Sequence, residues 1–288
     1  MRKQKIYSVY KKLEHDQILN VRECQNHLLD MFKRFIQFCN DSNVSVFLLW
    51  GTLLGAKRGG KIIPWDDDID LGISPDDFAR LLELKDKLPN YGLKLIHYSN
   101  NSHIHSNEIR IFEDGFYEMS ESSLKTYLKP VYIDIFPYCR VSSNNKTSNL
   151  ISKIRRCTNK LIVKETKWKS TSLFKAFLRF LYKCILVFSS SYSLHKRIDK
   201  YVGLLYDGSN DYELTFPDTF HNAKINYFYK DSFERLVNID FEGIKCLAPE
   251  KACEILTIAY GDWEKPKDRS GGKILEKKYL LRSADVNS

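Results

Sequence analysis

Between Asp66 and Ile73 the chain reads DDDIDLGI, and its second part alternates, Ile69, Leu71 and Ile73 against Asp68, Asp70 and Gly72. Alternate residues of a strand point to opposite faces. The three apolar residues therefore line a core, and Asp68 and Asp70 share the other face, about 6.5–7 Å apart along the chain. Carboxylates this close repel one another unless water, a cation or a cationic side chain compensates them. The pattern returns at 131–136, VYIDIF, where Val131, Ile133 and Ile135 oppose Asp134 and Pro137 closes the strand. The chain must fold so that two half-buried strands carry acids on their polar faces.

The elements around these strands alternate between helix and strand. Apolar residues every three or four positions (Leu13, Ile18, Val21, Leu28, Phe32, Phe35, Ile36, Cys39) predict one long amphipathic helix over 12–39, ended by Asn-Asp-Ser-Asn at 40–43. Val44–Trp50 reads as a strand, Gly51-Thr52 as a turn, and Leu53–Arg58 as one or two helical turns. Ser74-Pro75-Asp76-Asp77 starts a further helix, and 93–98 and 108–112 read as strands. Residues 150–206 read as helical and basic, 249–260 as a helix opened by Pro249, and the tail after Tyr260 as polar and only part-ordered. The expected fold class is α/β (α+β). Residues 1–145 form the core with its N-terminal helix, 146–210 a basic amphipathic helical insertion, and 211–288 a C-terminal part that completes the core.

With 288 residues, 43% of them hydrophobic, the chain can bury a sizeable core. Its seven cysteines are an odd number with no C-x-x-C pair, which points away from a disulfide framework or zinc site and toward a reducing compartment. The basic N-terminus is not followed by a signal-peptide core, so a cytoplasmic protein is expected.

The formal charge of +9 is local. Residues 151–200 hold thirteen Lys and Arg against two acids, a net +11, so the other 238 residues carry −2. Within that segment Lys175, Arg179 and Lys183 share a helix face, with Phe174, Phe177, Leu178, Leu181, Ile185 and Phe188 over much of the rest. This composition suits a helix lying in a membrane interface, and the uncharged run at 184–194 is far too short to span one. Peripheral association of residues 153–200 with an anionic membrane at its inner face is expected. The competing reading is a helical subdomain with a solvated basic rim. No nucleic-acid partner is expected, since no base-stacking motif accompanies the charge.

Hard oxygen ligands on one strand face suit magnesium, with manganese as the alternative. Asp68 and Asp70 are candidate metal ligands and catalytic residues, with Asp134 as the third acid. A solvated turn is the plain competitor, and Asp134 alone also suits a capping role. A calcium loop fits poorly, since Leu71 stands where glycine is needed and Asp77 where glutamate is. Gly51 and Thr52 are candidates to aim backbone N–H groups at an anion, and Lys57, Arg58 and Lys61 to add charge for a phosphate.

The strings WGTLLGAKR at 50–58, IPWDDDIDLGI at 63–73, YIDIFP at 132–137, FEGIKCLAP at 241–249 and YGDW at 260–263 together resemble the LicD family. That family includes bacterial phosphocholine transferases and the fukutin-related enzymes of animals. The resemblance covers about residues 45–265 and implies a nucleotidyltransferase-like mixed sheet flanked by helices. It implies metal binding by Asp68 and Asp70 with Asp134 as third acid, diphosphate contact by Arg110, loop-shaping by Trp65 and Asp66, and an acceptor side lined by Asp262 and Trp263. The implied reaction is transfer of phosphocholine from CDP-choline to a hydroxyl of a cell-surface glycan precursor or lipid-linked glycan, releasing CMP. The alternatives are another CDP-alcohol donor, of ribitol or glycerol phosphate, and a non-catalytic metal or nucleotide binder. The family's histidines after YGD are missing here, where RSGGK follows at 269–273.

Overall fold

The structure is a computed structural model that describes residues 8–9, 16–97, 99, 108–122, 125–142, 212–216, 226–265 and 277–282. Strands β1 (Ser8–Val9) and β2 (Asp16–Leu19) lead into helix α1 (Val21–Ser42). Then come β3 (Val46–Leu48), α2 (Trp50–Gly59), β4 (Ile69–Ile73), α3 (Pro75–Glu83), a 3-10 helix (Lys85–Tyr91), β5 (Lys94–Ile96) and β6 (Ile109–Phe112). The hairpin β7 (Phe116–Ser122) and β8 (Lys125–Pro130) precedes β9 (Ile133–Pro137). After β10 (Cys139–Ser142) and β11 (Tyr212–Thr215), the hairpin β12 (Leu236–Phe241) and β13 (Ile244–Pro249), helix α4 (Ala252–Tyr260) and β14 (Lys278–Arg282) complete the chain.

Two units divide it. Met1–Ile96, Glu108–Pro137 and Asp231–Ser288 form the first, and His97–Asn107 with Tyr138–Lys230 the second. The second unit thus begins at Tyr138 and takes in 97–107, where the sequence suggested a boundary at 146. Its described residues include the antiparallel pair β10–β11 and an edge-on cluster of Tyr138, Phe216 and Phe228. The basic segment 153–200 and the stretch 269–273 lie outside the described residues.

The first unit contains the acid-bearing strands. A mixed five-stranded sheet runs β3-β4-β9-β6-β5, in which only β4 and β9 are parallel. Ile69, Leu71, Ile73, Ile133 and Ile135, whose face their alternation assigned, are fully buried on it, and Ile109 and Ile111 of β6 are buried with them. Helix α2 packs on β4 and on α4. Gly72 lets β3 approach, because a Cβ there would lie 2.2 Å from the Phe47 ring. A second, antiparallel sheet runs β1-β8-β7-β14-β2, and α1 packs against β2 and β14.

Three local expectations change. The helix expected over 12–39 begins at Val21, because Asn20 and Glu23 form a capping box, Asn20 Oδ1 accepting from the Glu23 N–H at 3.0 Å and Glu23 Oε2 from the Asn20 N–H at 2.8 Å. That fixes the helix start and leaves 16–19 to pair with β14. Pro249 ends β13 instead of opening α4, since pairing with Leu236 holds it in the hairpin. The tail expected to be part-ordered contributes β14, an interior strand whose Tyr279 and Leu280 are fully buried. Its charged neighbours hid a short apolar core that only a partner on each side makes stable.

Candidate metal centre

Register puts the site together. In the parallel pair, Asp70 of β4 lies opposite Asp134 of β9, and in the antiparallel pair Asp134 lies opposite Arg110 of β6. One row of the sheet thus reads Asp70, Asp134, Arg110, all on the face away from the isoleucines. Asp68 precedes β4 by one residue. One carboxylate oxygen from each of Asp68, Asp70 and Asp134 lies within 4.8 Å of the other two. The two acids of the D-x-D pair and the third from a distant strand are therefore brought together.

Arg110 anchors the row. Its Nε donates to Asp134 Oδ1 at 3.0 Å, and its Nη2 donates to Glu108. The guanidinium also lies over the Tyr132 ring, 5.1 Å from its centroid, a cation–π arrangement. Arg110 therefore meets carboxylates of the chain itself where a diphosphate contact had been expected.

Helix α2 approaches the acids with its N-terminus. Leu49 donates to the Asp70 carbonyl at 3.0 Å, and Trp50 turns the chain sharply with a left-handed φ of 43°. The helix takes in Gly51 and Thr52, which the sequence suggested as a turn before it. A Cβ on Gly51 would sit 2.8 Å from Asp66 Oδ2 and 3.9 Å from Asp70 Oδ2, so glycine lets the helix end come up to both acids. The Gly51 N–H bonds to the Asp70 carboxylate, and the buried Thr52 Oγ1 accepts from the Asp70 N–H at 2.9 Å. These two residues hold Asp70 directly. The positive end of the helix dipole favours negative charge there.

The expected basic trio sits elsewhere. Lys57 and Arg58 occupy the last turn of α2 and Lys61 follows it; Lys57 is about 9 Å along the helix axis from Gly51 at 1.5 Å per residue. Lys57 and Lys61 are exposed. Arg58 donates from Nε to the Trp263 carbonyl at 2.8 Å and from Nη2 to the Lys265 carbonyl at 3.0 Å, tying the segment after α4 to α2.

Sequence reasoning missed the supports of the acidic loop. Gln25, buried on the apolar stripe of α1, donates from Nε2 to the carbonyls of Ile63, Pro64 and Asp66 at 3.1, 3.3 and 2.8 Å. A polar residue on an otherwise apolar helix face was the available signal. Asp67 is outside the three-carboxylate group and accepts from Lys277 Nζ at 2.5 Å and Tyr279 Oη at 2.6 Å. Nothing local to Lys277 or Tyr279 announces this.

The electrostatics are those of a site made for positive charge. Loss of water around its carboxyl, then the charges of Asp66, Asp67 and Asp134, push Asp68 up to about 7 against the opposing pull of Lys277. Asp68 is exposed as a residue, but its carboxyl lies among the others. Asp70 is held well above the usual carboxylate range by burial and by Asp68, Asp134 and Asp66.

The donor set fits a hard divalent cation. Opposite oxygens of a magnesium shell with bonds of about 2.0–2.1 Å are about 4.2 Å apart, so carboxylates spread over as much as 4.8 Å need only a small closing movement. Arg110 uses one Asp134 oxygen and leaves the other lone pairs available.

A pH signature follows. An Asp68 that is protonated near neutrality in the folded state but ionised above about pH 4 when unfolded makes the cation-free fold progressively less stable as pH rises from about 4 to 7. Bound cation cancels that loss. Thermal melts in EDTA should fall across this range, and added magnesium should raise Tm far more at pH 8 than at pH 5.5. Equal magnesium effects at both pH values would contradict the assignment.

Comparison with known proteins now adds to the geometry. The model of the LicD/FKTN/FKRP nucleotidyltransferase domain matches residues 43–177, which include all three acids and Arg110. The lipopolysaccharide cholinephosphotransferase LicD of Haemophilus influenzae is 25% identical over 289 aligned positions, covering 91% of this chain and 99% of that protein. Residues 43–177 are thus similar to the LicD-family domain. The ribitol 5-phosphate transferase FKRP of mouse is 30% identical over 97 residues, 28% of this chain and 20% of that protein. The human FKRP is 37% identical over 62 residues, 22% of this chain and 12% of that protein. The mixed sheet flanked by helices is the α/β fold expected from the sequence.

Proposed function

We propose that this chain is a LicD-family enzyme that transfers phosphocholine from CDP-choline to a hydroxyl of a cell-surface glycan precursor, of teichoic acid, capsule or lipopolysaccharide type, and releases CMP. The observation that carries the reading is the Asp68, Asp70 and Asp134 cluster on the face opposite the core, in a chain similar along nearly its whole length to a lipopolysaccharide cholinephosphotransferase. In this reading the acceptor oxygen attacks the phosphorus that bears the choline, a P–O bond forms, and the bond to the CMP oxygen breaks. Asp134 takes the hydroxyl proton.

Asp68, Asp70 and Asp134 would hold magnesium, or manganese. A cation held there would neutralise charge on the donor's phosphate oxygens. Arg110 and Glu108 fix the rotamer of Asp134, and the Gly51 N–H and Thr52 hydroxyl fix Asp70. Gly51 keeps the helix end bare beside the phosphates, and Lys57 and Lys61 supply long-range charge. Ribitol or glycerol phosphate as the carried group is the second reading, favoured by the similarity to the ribitol 5-phosphate transferases.

Calorimetric titration with CDP-choline, CDP-ribitol and CDP-glycerol in magnesium tests the donor. The reading requires CDP-choline to bind tightest and to be turned over to CMP with a glycan acceptor; no binding of any of the three ends it. Among the described residues no helix is long and apolar enough to cross a membrane. Peripheral membrane attachment through residues 153–200 is part of the proposal, and its test is sedimentation with vesicles: binding to vesicles containing anionic lipid and not to neutral ones, lost as salt rises. Equal sedimentation with both kinds would remove that part.

A further inference from the structure

The three acids are not held in the same way. Asp70 has the Gly51 N–H on its carboxylate and the Thr52 hydroxyl on its own N–H, and Asp134 has the guanidinium of Arg110. Among the described residues no hydrogen bond is made to the Asp68 carboxylate. The position of Asp68 therefore depends on the backbone that leads into it. That backbone carries Asp66 and Asp67 as well, so repulsion among the carboxylates acts to spread it.

One side chain of α1 holds the backbone in place. Ile63–Asp66 is a tight turn, closed by the Asp66 N–H donating to the Ile63 carbonyl at 2.9 Å, with Pro64 at the second position, where a proline presets the chain. Gln25 Nε2 donates to the carbonyls of Ile63, Pro64 and Asp66, and the shortest of these bonds, 2.8 Å, is to Asp66, two residues before Asp68. Carbonyls only accept, so the amide nitrogen and not the oxygen must face the turn. Arg22 Nη1 donates to Gln25 Oε1 at 3.3 Å and holds the amide that way round. Gln25 is 1% exposed, so water does not replace these bonds when they are lost. The place calls for a neutral donor, because an acid there would set its oxygens against the carbonyls and add to the negative charge of the cluster.

We infer that Gln25 is a positioning residue for Asp68 and, by pinning the turn ahead of it, gives the cluster its preference for a small cation. The inference rests on the metal-centre reading above and deepens it. Magnesium demands a near-ideal octahedral shell at about 2.0–2.1 Å, whereas calcium takes about six to eight oxygens at about 2.3–2.6 Å in flexible arrangements. A ligand held stiffly beside two others favours the first. A loop that relaxes under its own repulsion favours the second.

The test is calorimetric titration of the full chain with magnesium alone and with calcium alone, for wild type, Gln25→Met and Arg22→Leu. Methionine keeps the length and the apolar packing and removes the donor. Arg22 is exposed, so its replacement spares the core and removes only the bond that orients the amide. Magnesium affinity is expected to fall about 10- to 100-fold in Gln25→Met and calcium affinity to fall less, so that the wild-type preference for magnesium shrinks; Arg22→Leu should move the same way by a smaller step. Equal losses for the two cations, or an unchanged preference, make Gln25 merely a packing residue of α1 and overturn the inference. If Gln25→Met does not fold, Arg22→Leu decides, and an unchanged preference there overturns it. A wild type that binds calcium as tightly as magnesium overturns the inference and leaves the metal centre standing, and one that binds neither cation overturns both.

Discussion

Asp70→Asn is expected to cost about 10³-fold in turnover while raising the Tm of the cation-free protein by a few degrees. Asparagine keeps the shape and can still accept from the Gly51 N–H, so the helix end stays in place. What disappears is an ionisable group in a half-buried cluster where burial and Asp68, Asp134 and Asp66 all oppose its ionisation. Removing it relieves repulsion in the free protein and weakens cation binding, which places stability and function in opposition. Asp134→Asn should lose turnover to a similar extent but lower Tm, because Arg110 then keeps only Glu108 as a carboxylate partner. Melts in EDTA and in magnesium, alongside donor turnover, read both variants. Near wild-type turnover in either would dismantle the metal centre as described, and a lowered Tm for Asp70→Asn would show that its charge is compensated in the free protein.

The second large effect concerns the end of the chain. A chain ending at residue 276 should fail to fold, because β14 pairs with β2 on one side and β7 on the other and buries Tyr279 and Leu280 completely. Soluble, cooperative melting of that truncation would contradict the topology. Tyr279→Phe separates folding from function. It keeps the ring in the core and removes only the hydroxyl that donates to Asp67. The expected stability loss is about 1 kcal/mol. Cation affinity should fall about 10- to 100-fold, the usual cost of losing a group that holds a ligand's support, because Asp67 carries the loop leading into Asp68. Lys277→Met should act in the same direction. A drop in Tm with unchanged magnesium affinity would make Tyr279 merely structural.

Much of the centre was written locally. The D-x-D alternation placed Asp68 and Asp70, the VYIDIF alternation placed Asp134 on a strand, and Ser74 caps α3 as its Ser-Pro-Asp-Asp signal requires, accepting from the Asp77 N–H at 3.1 Å. The capping box of Asn20 and Glu23 was equally legible, yet the apolar spacing that continues back to Leu13 outweighed it and pulled the helix start too early. Gln25 stood on an apolar face, visible but without a partner in sequence. The anion cradle at Gly51 was seen as a helix N-terminus, and the anion facing it is the protein's own Asp70.

Sequence alone determined which residues carry negative charge and which strand face each occupies, because side-chain alternation is a property of a few consecutive residues. The tertiary structure decided the register that sets Asp70 beside Asp134 and Arg110 beside both. It also decided that a charged tail inserts as an interior strand to grip Asp67. Pairing between strands joins segments far apart in the chain through backbone hydrogen bonds that every residue can make, so composition does not reveal the partner until the whole sheet is assembled.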